Sequence, residues 1–127
     1  MVKRPRNIGM GSLLHYRFPI TAMASILHRL SGILLFLFVP LLIWALDLSL
    51  RSEQGFTSLK HCLQHSWVGV LLWLFGAALI YHLIAGVKHL LMDLGWCEGK
   101  TSGKVASWIV ILIAIALIVW WGVALWY

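Results

Sequence analysis

The chain has 127 residues, of which 61% are hydrophobic and 11% charged. Ordinary globular chains carry about 45–50% apolar and about 25% charged residues, so a soluble fold of this length could not hide its apolar surface. The formal net charge of +6 is spread over the ends of apolar runs with no dense basic patch, which argues against nucleic acid as a partner and for membrane lipid.

The opening MVKRPRN is basic, but the apolar run after Ile20 is too long for the core of a signal peptide and no small-residue cleavage site closes it. The segment is expected to stay in the mature protein. Three apolar stretches follow, at about 21–48, 66–94 and 104–126. Leu30 to Leu46, Ser66 to Val87 and everything after Lys104 are free of Asp, Glu, Lys and Arg. About 20 apolar residues cross the hydrocarbon core as a helix, and each stretch meets that length. Backbone groups cannot stay unpaired in lipid, so helices are the expected form. The chain therefore predicts one domain, 1–127, of all-α membrane class with three transmembrane helices. Between the first two spans, Asp47 to His65 reads as a turn-like polar connection through Arg51, Ser52, Glu53, Gln54 and Gly55. The second connection is expected from Gly95 to Gly103.

Lys3, Arg4, Arg6, Arg17, Arg29, Lys88, Lys100 and Lys104 fall on one side of this topology, and Arg51 and Lys60 on the other. The basic side faces the cytoplasm by the positive-inside rule, placing the N-terminus there. Trp44, Trp67, Trp96, Trp108, Trp120, Trp121 and Trp126 lie near span ends, as interfacial aromatics do, whereas Trp73 lies deeper and is a packing candidate. Cys62 and Cys97 have neither CxxC nor metal-ligand spacing and fall in connections on opposite faces, so they are not expected to pair.

Polar residues inside a span cost energy unless they have a partner or a task. The first cluster is Ser25, His28 and Arg29, with Gly32 one turn beyond His28 leaving room for a bulky group. Arg29 lies roughly 12 Å into its span at 1.5 Å per residue. Burying it there costs about 2.5–3.5 kcal/mol on insertion scales. One reading is a snorkelling arginine beside a capping serine; the other is a site for an anionic or carbonyl-bearing ligand. The second cluster is His82, Lys88, His89 and Asp93. His82 lies roughly 18 Å from the cytoplasmic end of its span, near the midplane, where a short imidazole cannot snorkel. Ala85 and Gly86 would let a flat macrocycle or another helix come close. Neutral imidazole is a natural ligand of haem iron, and a hydrogen bond to a neighbouring helix is the plainer alternative. His89 and Asp93 are four apart and could pair. His15, His61 and His65 read as surface residues, and Tyr81 as packing.

These clusters carry a resemblance. RFPITAMASILHRLSG, Arg17 to Gly32, resembles a signature of the cytochrome b subunit of succinate dehydrogenase, the larger anchor of respiratory complex II, and YHLIAGVKHLLMDLG, Tyr81 to Gly95, resembles the second signature of that family. The opening RP element and three spans fit it in order and spacing. Lys88 stands where many members have Arg, which keeps the charge and loses the bidentate fork.

The resemblance implies a bundle shared with other chains in the bacterial inner membrane. His82 is implied as one axial ligand of haem b, the other coming from a second, smaller anchor subunit. Ser25 and Arg29 are implied as ubiquinone-site residues near the iron–sulfur subunit, with Phe18 and Ile26 as apolar lining. His28 and Arg29 are implied to face the haem propionates, with His89 assisting. No flavin or dinucleotide fingerprint and no Cys cluster occurs in the sequence, so a flavoprotein and an iron–sulfur subunit would carry succinate oxidation and the chain would not be catalytic alone. Fumarate reductase has a closely related architecture. Two other readings compete: a non-redox membrane scaffold or small transporter subunit, and a self-contained cytochrome b, which would need a second deep histidine.

Overall fold

The computed structural model describes residues 18–97 and 99–127. Lys3, Arg4, Arg6, Arg17, His15 and the RP element lie outside the described residues, as does Glu98. The described residues form four helices: α1 (Ile20–Arg51), α2 (Glu53–Leu63), α3 (Ser66–Asp93) and α4 (Lys100–Trp126). α1, α3 and α4 are long and apolar enough to cross a membrane. The chain is an all-α, multi-pass membrane protein, and the three expected spans agree with the helices to within a few residues.

The three spans pack antiparallel in sequence, with α3 against both α1 and α4. Lipid hydrocarbon is as apolar as leucine, so helices associate through close packing of small residues and not through hiding hydrophobic surface. Most of the buried positions follow that rule: Ala24 and Ser31 on α1, Gly76, Ala78 and Ala85 on α3, and Gly103, Ser107 and Ala114 on α4. Large side chains such as Phe36, Leu50 and Trp120 point outward instead. Glycines on each of α3 and α4 receive an indole from the other helix. Gly76 faces Trp121, and Gly122 faces Trp73, the deep tryptophan. Trp121 is therefore a packing residue and not part of an interfacial belt, a correction to the reading from its position near a span end.

The first connection also differs from expectation. Residues 53–63 form a helix, not a turn. Ser52 is the reason: its extended backbone breaks α1, and its hydroxyl accepts from the Gly55 N–H at 3.0 Å, capping the next helix. Glu53 at the start and Lys60 and His61 at the end complement the helix dipole. Leu59, Cys62 and Leu63 then line an apolar cleft of about 190 Å³ with Phe38, Leu42 and Phe75. The second connection is shorter than expected because α4 starts at Lys100. α3 ends as the sequence suggests, at Gly95, whose φ of +86° closes a C-terminal cap in which Trp96 N–H donates to Leu91 and Gly95 N–H to Met92, both at 2.9 Å. Cys62 and Cys97 are both free thiols, as expected.

Candidate functional site: an imidazole ladder between the first two spans

Ala24, His28 and Ser31 recur at the four- and three-residue spacing that keeps one helix face in line, and this face of α1 meets α3. From α3 come Tyr81, His82 and His89. Their rings interleave. The His28 ring stacks on His82 with centroids 4.3 Å apart and planes 18° apart, and reaches His89 on its other side at 5.0 Å and 39°. His82 and His89 are seven residues apart, a rise of about 10.5 Å, and the single ring of His28 bridges that gap.

Small residues make this possible. A Cβ at Gly32 would lie 3.0 Å from His82 Cε1, and one at Gly86 would lie 3.5 Å from His28 Nε2. The space expected beside Gly32 and Gly86 is thus filled, in each case, by an imidazole of the facing helix. Tyr81 adds an anchor one residue away, its hydroxyl donating to the Ala24 carbonyl at 3.0 Å.

The hydrogen bonds around His82 point to one tautomer. The Ser31 hydroxyl donates its one proton to the His28 carbonyl at 2.7 Å. His82 Nδ1 lies 3.1 Å from that same hydroxyl oxygen and 3.2 Å from the His28 carbonyl oxygen. A carbonyl only accepts, and the serine has already spent its proton. Both neighbours of Nδ1 are therefore acceptors, so Nδ1 carries the hydrogen and Nε2 presents its lone pair. This is the state of a metal-ligating histidine whose other nitrogen is held by the surrounding protein.

His28 has a different character. Its Nε2 is buried among the described residues without a hydrogen-bond partner. Orphaned buried polar atoms are rare in native proteins and call for an explanation, an absent ligand among them. A flat macrocycle cannot lie between rings 4.3 Å apart, so His28 and His82 do not form a ligand pair with iron between them. The self-contained cytochrome b reading loses its second ligand on that ground.

Around the ladder, Lys88 is buried at 7% exposure, and among the described residues no ion pair receives its ammonium. His89 and Asp93 form no ion pair, contrary to the pairing their spacing allows; among the described residues an ion pair joins Asp47 and Arg51. Ser25 and Arg29 lie one turn apart on α1, Ser25 half-buried and Arg29 exposed. Neither makes a hydrogen bond or ion pair among the described residues. Phe18 and Ile26 are exposed at 44% and 42%. The fold thus gathers His28, His82 and His89, and leaves Arg29, Phe18 and Ile26 exposed, with Ser25 half-buried beside them. Ser31 was not singled out by sequence reasoning. Its signal is a hydroxyl three residues after His28, in a stretch otherwise apolar beyond Arg29.

Fold and site together define a class: an all-α multi-pass membrane protein with three histidines gathered between its first two spans. The chain belongs to the succinate dehydrogenase/fumarate reductase transmembrane subunit family, whose model matches residues 5–121. Among its relatives is the succinate dehydrogenase cytochrome b556 subunit of Coxiella burnetii, 37% identical over 125 residues and 98% of both chains. The subunit of that name from Rickettsia typhi is 32% identical over 115 residues, covering 91% of this chain and 87% of its own. That from Paracoccus denitrificans is 33% identical over 111 residues, covering 82% and 84%.

Proposed function

We propose that this chain is the membrane-anchor subunit of a succinate:quinone oxidoreductase in the bacterial inner membrane, with its N-terminus cytoplasmic. In this reading it supplies His82 as one axial ligand of a haem b, and Ser25 and Arg29 to the ubiquinone site. Its partners are a second, smaller anchor subunit carrying the other axial ligand, an iron–sulfur subunit and a flavoprotein. The observation that carries the reading is the position of His82 Nδ1, 3.1 Å from the Ser31 hydroxyl and 3.2 Å from the His28 carbonyl oxygen, an arrangement that suits Nδ1 as donor and leaves Nε2 for iron. Family membership, and relatives named as cytochrome b556 subunits, supply the context.

Haem, when bound, supplies a one-electron redox couple in the low-dielectric interior. The rest is the work of this chain's side chains. His28 offers its orphaned Nε2 to an anionic group, and with His89, Lys88 and Arg29 it makes this end of the bundle suited to haem carboxylates, whose burial would otherwise be costly. Ser25 and Arg29 lie one turn apart on α1, where a hydroxyl and a guanidinium can hold quinone carbonyl oxygens against a partner subunit. They would stabilise negative charge on those oxygens as two electrons and two protons are added. Succinate itself would be oxidised on the partner subunits.

In the assembled complex, His82→Ala is expected to strip or strongly perturb the b-type absorption spectrum; an unchanged spectrum at full haem content contradicts the ligand assignment. Arg29→Ala and Ser25→Ala are expected to slow quinone reduction by at least ten-fold while succinate oxidation by a soluble dye continues. Equal loss of both activities would assign these residues to assembly instead.

A further inference from the structure

We propose that Ser31 is a positioning residue for His82, setting the rotation of its imidazole and the electron donation of its Nε2. The proposal rests on the reading of His82 as a haem ligand and goes beyond it, because it concerns what controls that ligand.

The geometry is a closed triangle. Ser31 Oγ lies 2.7 Å from the His28 carbonyl oxygen, His82 Nδ1 lies 3.1 Å from Ser31 Oγ, and the same Nδ1 lies 3.2 Å from that carbonyl oxygen. The hydroxyl bond turns the serine oxygen's lone pairs toward α3, and the Nδ1–H is shared between two acceptors. One of them, the carbonyl, belongs to the α1 backbone and cannot move alone. The other can be deleted. Ser31 is itself buried at 8% exposure, so water does not compete freely for its place. The remaining sides of the ring are also held, one face by His28 at 4.3 Å and one edge by the close approach of Gly32.

Two consequences follow for the iron. A hydrogen bond accepted from Nδ1–H pushes electron density toward Nε2 and raises ligand basicity, which favours the oxidised metal and lowers its potential. Fixing the ring plane would also fix the direction of its π overlap with a bound iron, and so the anisotropy of its ferric state. Without the serine, one longer hydrogen bond and the stacking remain. The haem potential then rises, the ferric electron paramagnetic resonance signal shifts, and haem retention falls about ten-fold, the lower range for loss of an outer hydrogen bond to a metal ligand.

The experiment is redox titration and electron paramagnetic resonance of the whole complex carrying Ser31→Ala, Ser31→Thr, Ser31→Cys, Ser107→Ala or His82→Ala. Threonine keeps a hydroxyl that can bond the preceding turn, so it is expected to restore the wild-type potential and signal. Cysteine, a weaker acceptor of similar shape, is expected between alanine and wild type, and it serves if the alanine variant loses its haem. Ser107 is the control: it is buried with 0% exposure and bonds the Gly103 carbonyl at 2.8 Å, and among the described residues it makes no hydrogen bond to a histidine. Ser107→Ala is expected to leave potential and signal unchanged. A wild-type potential and signal in both Ser31→Ala and Ser31→Cys, while His82→Ala loses haem, overturns the role of Ser31 and leaves the ligand standing. Wild-type haem in His82→Ala overturns the ligand reading itself.

Discussion

Between Ala24 and Gly32 on α1 and Tyr81 and His89 on α3, the helix interface carries three imidazoles, a hydroxyl and a phenol, tied by hydrogen bonds and ring stacking. Farther along the same two helices, Phe38, Leu42, Phe75, Leu72 and Trp67 meet in hydrocarbon alone, and with α2 they leave a cleft of about 190 Å³. The near end is directional: each polar atom limits where its neighbours can sit. The far end is held by dispersion and shape, which tolerate an imperfect fit. Polar groups within a bilayer are costly, so their concentration at one end marks where the chain has a task, and the hydrocarbon end marks where it needs only to span and pack.

Substitutions at matched positions in the two regions can break or sharpen that contrast. The largest effect is expected from Gly32→Val. A Cβ there already comes within 3.0 Å of His82 Cε1, and two further methyls would push the ring from its place. The expected result is loss of the wild-type haem spectrum. Gly86→Ala, whose Cβ would sit 3.5 Å from His28 Nε2 in ordinary contact, is expected to keep it. Equal spectra in both variants would show that the ring's seat does not depend on Gly32. At the far end, Gly55→Ala would place a Cβ 2.5 Å from the Leu48 carbonyl oxygen, a backbone atom that cannot step aside. α2 must shift, at a cost of about 1–3 kcal/mol typical of overpacking. Thermal unfolding of the detergent-solubilised complex should register this as a lower midpoint, with the haem spectrum unaltered. A changed spectrum would mean that the two regions are coupled. The smallest effect belongs to Tyr81→Phe, which removes one hydrogen bond to the Ala24 carbonyl. Interhelical hydrogen bonds in membranes average about 0.6 kcal/mol, so a slight drop in the melting midpoint is expected, with haem content intact.

The spans were legible in the sequence because uncharged length alone defines them. So was the end of α3, since Gly95 supplies the left-handed residue its cap uses. α2 was not: its polar residues resemble a loop when read singly, and only the Ser52 cap and the 59–62–63 apolar spacing betray a helix. Within the site, depth singled out His82 and His28 as unusual. Their contact was hidden because which faces of α1 and α3 meet is decided by the glycines of both helices together. Depth counted along the backbone also placed His28 shallower than His82, yet the rings stack, because Gly32 and Gly86 let each imidazole reach in against the facing helix. Ser31 escaped notice since its importance lies in a bond to a residue 51 positions away.

The central claim is that His82 donates Nε2 to a haem iron. Replacing it with methionine in the assembled complex tests the identity of the ligand and not merely its presence. The account predicts a haem that gains the thioether sulfur-to-iron charge-transfer band and a more positive midpoint potential, as histidine–methionine ligation gives. A His82→Met complex with wild-type haem content, no such band and an unmoved potential would contradict it.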